Sequence, residues 1–490
     1  MSNKKRLPVR VAKARYREPT NPAYAGNPLI LALPPCVEPI RMKKLLTVTV
    51  PSFEFEDLSL SEREGRIKEL RNLRIMSTQY LDFYQSVYNL IESGYVQRNP
   101  LKVDVIAWSY DIADPSVSLD ELEQPSLING LKETTSGAMF LTGFSGNGKS
   151  TISEHILFNL MPQVLEHNYE NFNELQIVYL KVDFPHDAKR PELIYRIAEE
   201  LDWVLSKTSY GDPLYRKTML NNKGEYKAIN RMLELLMTQL NRHHVGLLVV
   251  DEFQTLLISS LRYRQEVIQM FDDISNSLYT PLLKIGTPDA LGLFEKNSRH
   301  KRRQGEVFEL KPFTDEHTRE RILKALYEFQ PLRKIIQRTK EIDELLFNLS
   351  GGVPDYLIGL WQAVLVEAIR SGKERISKQL IMQVFRKRYP LLRYAIQCIN
   401  TGKKGPFADL ITVQQYFDNE RVDSALKYLH QSVQKMDVTG KAAEDIEKDI
   451  LDSLEGMVLK PAQYKKLEKI KESLANKKNG LSGPQTLEHK

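Results

Sequence analysis

The sequence predicts an α/β fold, a parallel sheet covered by helices on both faces, followed by an all-helical domain. Five apolar runs, "GAMFLTG", "LQIVYLKVD", "VGLLVVDE", "PLLKIGT" and "GEVFEL", alternate with helix-forming stretches between residues 137 and 310. Continuous apolar strands of this kind are buried on both faces, as parallel strands are. Between the first run and a helical segment lies the glycine-rich loop "GFSGNGKS". After Leu310 the strand pattern stops and only helical periodicity continues.

The elements follow in order. At 490 residues the chain calls for two or three folded units plus tails. Residues 1–60 are basic and rich in proline ("NPAYAGNPLILALPPCVEPI"), predicting an extended arm whose Leu29, Ile30 and Leu33 anchor it on a neighbouring surface. Residues 61–130 read as a helical extension, with helical spacing from Ser61 to Tyr95. Residues 131–312 form the α/β unit and 313–400 a helical lid. In the lid, Thr314 is expected to cap "TDEHTRERILKALYEF", and "GGVPDY" ends one helix at Gly351 and Gly352 and starts another at Pro354. Residues 401–490 are expected to be a lysine-rich helical segment with a disordered end.

Composition narrows the class. No run approaches the roughly 18 uncharged apolar residues of a membrane span, and the N-terminus lacks a secretory apolar core, so a cytoplasmic protein with no membrane partner is expected. Two distant cysteines, Cys36 and Cys398, fit no metal or redox spacing and are expected as free thiols. The net charge of +6 is mild for this length, so its distribution says more than its total. Residues 1–20 carry seven Lys or Arg against one Glu, and residues 370–404 carry ten against one. With "RHKRR" at 299–303, these are candidate surfaces for an anionic partner.

The loop satisfies G-x-x-x-x-G-K-[ST] with Gly143, Gly148, Lys149 and Ser150. A strand before it and a helix after it are the context that the phosphate-binding reading needs. Glycines let successive N–H groups from Ser145, Gly146, Asn147, Gly148 and Thr151 turn toward a phosphate, which also meets the helix N-terminus. Lys149 supplies a cation to the β and γ phosphates, and the Ser150 hydroxyl can ligate Mg²⁺. "GLLVVDEFQ" adds the hydrolytic half. Asp251 and Glu252 emerge at a strand's C-terminal end, the first suited to Mg²⁺ and the second to activating water. Because a further strand and helix separate the loop from this pair, the spacing is that of ATPases with a catalytic glutamate. No guanine-reading N-K-x-D occurs, so ATP is the expected nucleotide.

Thr287, at the end of "PLLKIGT", can hydrogen-bond a γ-phosphate or water, or it can simply be a turn residue before Pro288. Arg302 and Arg303, with Arg299 behind them, precede the last strand, a place from which an arginine reaches the γ-phosphate of an adjacent subunit; a solvated basic turn is the alternative. ATPases of this organisation carry an arginine at the start of a late helix, where this sequence has Asp355. Phosphate sensing is therefore expected to rest on Thr287 and the neighbouring subunit.

Together these features resemble an AAA+ ATPase. The sequence is further similar to TnsC, the AAA+ regulator of TnsABC-type transposons, through "NPLILALPP" (27–35), "GYVQRNP" (94–100), "VYLKVD" (178–183), "GLLVVDEFQTL" (246–256) and "IGTPDA" (285–290). That resemblance implies ATP-dependent homo-oligomerisation, as a ring or filament, on double-stranded DNA. It also implies a link between a target-selector protein and the transposase subunits, without DNA cleavage by this chain. Independently of it, Lys189 and Arg190 in "PHDAKRPEL", and Arg216, Lys217 and Lys223 in "YRKTMLNNKGEY", are candidate DNA-phosphate contacts; ordinary solvated loops are the alternative. Competing functions are a replication initiator or helicase loader, a nucleotide-gated scaffold with little hydrolysis, and a metabolic P-loop kinase.

Overall fold

A computed structural model describes residues 6–19, 21–114, 116–117, 137–294, 305–401, 423, 426–427, 429–431, 433 and 461–479. The strands are β1 (Val11–Lys13), β2 (Ala138–Gly143), β3 (Val164–Glu166), β4 (Leu175–Ile177), β5 (Leu180–Asp183), β6 (Leu248–Asp251), β7 (Leu282–Ile285) and β8 (Glu306–Leu310). The N-terminal helices are α1 (Pro28–Leu31), α2 (Pro39–Leu46), α3 (Leu60–Ile67), α4 (Thr78–Val96) and α5 (Val103–Ala113). Those of the α/β unit are α6 (Lys149–Leu160), α7 (Arg190–Leu205), α8 (Tyr215–Thr218), α9 (Ile229–Arg242) and α10 (Leu261–Leu278). The lid and tail supply α11 (Glu316–Glu328), α12 (Lys340–Ser350), α13 (Pro354–Arg370), α14 (Lys378–Arg388), α15 (Leu392–Thr401) and α16 (Pro461–Asn479). None of the described helices is long and apolar enough to cross a membrane.

The main sheet runs β5-β6-β7-β2-β8 with every pairing parallel. Its side chains alternate between two cores, as a pleated strand requires. Met139, Leu141, Val249, Leu283 and Ile285 face one core, while Phe140, Leu248, Val250 and Leu282 face the other. The first core takes in α1, α4, α6 and the lid, and the second is closed by α5, α7, α9 and α10.

One run expected as a single strand is two. "LQIVYLKVD" gives Leu175–Ile177 to a separate small sheet, β1-β3-β4, and Leu180–Asp183 to the main one. At the crossing, the N–H of Val178 donates to the Gln163 carbonyl and that of Leu180 to the Leu247 carbonyl, so the chain changes partners while both Val178 and Tyr179 stay buried. Apolar periodicity is blind to such a change because the residues are buried on either side of it.

The arm also differs from its expectation. Leu29, Ile30 and Leu33 lie at 0–2% exposure inside this chain's own core, and residues 28–31 and 39–46 are helical. Three arginines of its basic block are engaged within the chain: Arg6 with Glu199 and Glu200, Arg10 with the Phe158 carbonyl, and Arg17 with Glu92. "NPLILALPP" and "GYVQRNP" hold one another, Asn27 donating to the Tyr95 carbonyl (2.8 Å) and Asn99 to the Gly26 carbonyl (3.1 Å). Arg98 then plugs the sheet end opposite the phosphate loop. Its guanidinium donates to the carbonyls of Gly94 and Val245 and to Thr280, and burial pushes its pKa down to about 10.

The lid starts one residue later than expected, since Asp315 rather than Thr314 accepts from the Thr318 N–H and caps α11. Gly351 ends α12 in the left-handed conformation and Pro354 opens α13. α3 is tied to the lid by the buried pair Arg63–Glu374 (3.0 Å), with Phe55 under the guanidinium. Cys36 and Cys398 are free thiols.

Two buried histidines make the fold acid-sensitive. Burial lowers the pKa of His167 to about 4 and of His243 to about 3, against about 6.5 in an unfolded chain. The unfolded state therefore takes up more protons below pH 6.5, and stability present at neutral pH is lost as pH falls toward these values. Each histidine should contribute a slope of about 1.4 kcal/mol per pH unit there. Thermal unfolding of His167→Gln and His243→Gln between pH 7 and 5 should show a shallower decline than the parent; equal slopes would refute the assignment.

Candidate functional site

The loop of residues 143–150 crosses from the C-terminal end of β2 into α6. Gly146 and Gly148 take φ of +86° and +82°, where a side chain is strained. Space excludes other residues too: a Cβ on Gly143 would lie 2.4 Å from the Leu310 carbonyl oxygen, and one on Gly146 3.1 Å from Val353 and 3.2 Å from Tyr356. Lys149 curls back so that its Nζ donates to the carbonyls of Gly143 (2.8 Å) and Phe144 (3.1 Å). Asn147 Nδ2 donates to the Leu310 carbonyl (2.8 Å), binding the loop to the last strand. The lid closes on its crown, where the Asp355 N–H meets the Gly146 carbonyl (3.3 Å).

This loop forms one wall of a cavity of about 530 Å³. The wall includes Ser145, Ser150 and Thr151; opposite it stand Asp251, Glu252, Gln254 and Thr287. Leu46, Leu73, Ile75, Tyr80, Phe313 and Ile358 add apolar surface, and Arg71, Arg74 and His155 add nitrogen donors. The volume and the mixture of apolar walls with few convergent polar groups suit a nucleotide.

At the acidic end, Asp251 Oδ1 accepts from the Glu252 N–H (2.8 Å) and Oδ2 lies 3.0 Å from the Lys181 ammonium. Lys181 also reaches Glu154 (2.9 Å) and Asp183 (3.5 Å). Burial alone disfavours its charge, yet these carboxylates outweigh burial and hold its pKa above the ordinary lysine value. Glu252 leaves the strand in the left-handed conformation (φ 57°), and its carboxylate accepts from Gln254 Nε2 (2.6 Å). A non-glycine residue held there carries strain of about 1–3 kcal/mol. Three polar atoms of cavity-lining residues are buried without a partner, Asn147 Oδ1, Gln254 Oε1 and Thr287 Oγ1. Such atoms are unfavourable unless a ligand completes them, so the residues present fit an ATP phosphate chain with its cation. Ser150 and Asp251 would hold Mg²⁺; among the described residues no cluster of three or more His, Cys, Asp or Glu offers another metal site.

The cavity thus gathers Ser145, Gly146, Asn147, Gly148, Lys149, Ser150, Thr151, Asp251, Glu252 and Thr287. Arg299, Arg302 and Arg303 lie outside the described residues. The five basic candidates for DNA do not form one cluster. Arg190 pairs with Glu266 (2.8 Å), and Arg216 with buried Asp202 (2.7 Å) and with Asp212 (3.1 Å), so both guanidinium groups are engaged within the chain. Lys189 is exposed beside Asp187, and Lys217 and Lys223 are exposed. Tyr226 binds Glu192 in the first turn of α7, while Arg216 sits at the other end of that helix beside Asp202.

Sequence reasoning missed Lys181, Gln254, Arg71 and Arg74. The first two stand inside quoted motifs, and their chemistry was legible only as apolar-strand and turn residues. The two arginines come from a segment with no motif.

A five-stranded parallel sheet in this order, with a glycine-rich loop on β2, next to the edge strand β8, an acidic pair two strands away and a helical lid, is the arrangement of the AAA+ P-loop fold. Residues 110–314 match the family model of the bacterial TniB protein. No curated protein matches the chain. Among solved structures, the Aeropyrum pernix ORC2 protein is 16% identical over 76% of this chain and 86% of its own, with a TM-score of 0.35. The Aeropyrum pernix ORC1 protein, solved in complex with DNA, is 16% identical over 79% and 85%, also at 0.35. Domain III of the Thermotoga maritima replication initiation protein DnaA is 18% identical over 51% and 84%, at 0.29. Likeness at this level carries no argument about what this chain binds.

Two variants test the site. Lys149→Ala should weaken ATP by at least ~100-fold in a fluorescent-nucleotide titration, because charge-assisted contacts to two phosphates vanish. Gly146→Ala should lower both ATP affinity and the unfolding temperature, since the added methyl meets Val353 and Tyr356 on the lid; unchanged values would mean the lid does not close on the loop.

Proposed function

We propose that this chain is an ATP-dependent, DNA-binding AAA+ regulator of DNA transposition, of the TnsC type, that oligomerises on double-stranded DNA and links a target selector to the transposase. The observation that carries this reading is the match of residues 110–314 to the bacterial TniB protein, a transposition-associated family, over a cleft lined by the glycine-rich loop, Asp251, Glu252 and Thr287. The transposon-regulator motifs outside the ATPase core support it, because "NPLILALPP" and "GYVQRNP" form one interlocked structural unit here.

In this reading the loop N–H groups and Lys149 bind and orient the phosphates. Mg²⁺, when bound, neutralises phosphate charge. Glu252 orients the attacking water and takes its proton, which requires its carboxylate to leave Gln254. Thr287 Oγ1 supplies a donor to the γ-phosphate or the water. Arg302 and Arg303 act on the γ-phosphate of an adjacent subunit, which makes hydrolysis depend on a ring or filament. Of the basic candidates, Lys189, Lys217 and Lys223 carry the exposed charge for phosphates of the duplex, while Arg190 and Arg216 shape the loops that present them. Transposase subunits and the target selector are the protein partners, and this chain cuts no DNA.

Hydrolysis and particle size, with and without double-stranded DNA of random sequence, test the proposal in the parent and in Glu252→Gln. DNA should stimulate ATP hydrolysis, and ATP-dependent oligomers on DNA should persist in the variant while turnover falls by ~10²-fold or more. Hydrolysis indifferent to DNA in a monomeric particle would overturn it. The DNA affinity should also fall steeply with salt, by a slope of about −0.9 per phosphate contacted, and Lys223→Ala should reduce that slope by about one contact.

A further inference from the structure

Beside Lys149 the cleft is lined by two arginines that no loop motif supplies, Arg71, which is exposed, and Arg74, which is half-buried. Arg74 comes from the turn before α4, where its backbone N–H and C=O both pair with Val48 at 2.9 Å. It is half-buried, its neighbours on the cavity wall being Leu46, Leu73, Ile75 and Tyr80. The guanidinium donates to the carbonyls of Arg71 and Leu73, and none of the described carboxylates forms an ion pair with it. Burial pushes its pKa down, with Tyr80 and Asp355 acting in the opposite direction, and its charge in turn helps depress the pKa of His155. Arg74 therefore lies within electrostatic reach of both the first turn of α13 and the second turn of α6.

That position is informative about the nucleotide. Lys149 and Ser150 open α6, whereas Thr151 and His155 stand four residues apart on one face of it, His155 meeting the Leu46 carbonyl (3.2 Å) on the wall that Arg74 shares. Asp355 sits over Gly146 at the crown of the loop. A half-buried guanidinium without a counter-ion is unfavourable, and an anion bound in this cavity would relieve it. The lid position from which an arginine could serve the same end is occupied by Asp355.

We propose that Arg74, from the N-terminal extension, is a nucleotide-binding residue acting in cis on the α-phosphate end of the bound nucleotide. The assignment rests on the nucleotide reading of the cavity and adds a residue to it. Because ATP and ADP share the α-phosphate, Arg74 grips both, and it ties the extension to nucleotide occupancy rather than to the presence of the γ-phosphate. α3 of the same extension is joined to the lid through Arg63–Glu374 and Arg370–Glu64, so occupancy felt at Arg74 is passed to both.

Fluorescent-nucleotide titrations of the full chain with ATP and with ADP test this in the parent, Arg74→Ala, Arg74→Gln and Lys149→Ala. Arg74→Gln keeps an amide N–H₂ donor on a shorter side chain and removes the charge, so it serves where Arg74→Ala does not fold. Either variant should weaken ATP and ADP by similar factors, about 10-fold to 100-fold. A loss confined to ATP would reassign Arg74 to the γ-phosphate and overturn the proposal, as would unchanged affinity for both nucleotides. A parent that binds neither nucleotide, or a Lys149→Ala that binds as the parent does, would instead overturn the nucleotide reading of the cavity.

Discussion

The parallel pairing of β7 between β2 and β6 is the constraint on which the nucleotide site depends. Hydrogen-bonded strands lie about 4.8 Å apart, so inserting one strand sets Lys149 and Asp251 on carriers about 10 Å apart across the sheet. That gap accommodates a phosphate group and a cation, and it leaves Thr287, at the end of the inserted strand, between them. The Asp251 carboxylate finds a different lysine, Lys181 on β5, at 3.0 Å.

The N-terminal extension then makes the site a three-sided one. Its far end is fixed by Arg98 and Tyr95 at the N-terminal ends of β6 and β7, on the side of the sheet away from the loop. Its near end delivers Leu73, Arg74, Ile75 and Tyr80 to the cavity and binds the lid through Arg63 and Gln362. A segment packed simultaneously on sheet, cavity and lid cannot respond to nucleotide in one place alone. Glu252 is held separately, in the left-handed conformation with its carboxylate accepting from Gln254.

How much of this was legible beforehand differs by element. The phosphate loop, the acidic pair and Thr287 could be read because each obeys a local rule: glycines where the backbone must turn, carboxylates where an apolar run ends. The helix break at Gly351 and the start at Pro354 were legible for the same reason. "LQIVYLKVD" was misread as one strand, because burial on both sides of Val178 hides a change of sheet. The arm's apolar anchors Leu29, Ile30 and Leu33 were legible, but its conformation was misread as extended, because proline opens the helices at Pro28 and Pro39 as readily as it extends a chain.

By itself the sequence determined the strand and helix alternation, the glycine-rich loop between a strand and a helix and the carboxylates at the end of an apolar strand, since these follow from local stereochemistry and from the periodicity of apolar side chains. Tertiary structure alone decided the company those residues keep. Arg190 and Arg216 turned inward to Glu266 and Asp202, Lys181 reached Asp251, and Arg74 entered a cleft whose loop begins 69 positions further along the chain. An ionisable side chain's role is fixed by the charges within a few ångströms of it, and for these residues those charges come from distant parts of the sequence.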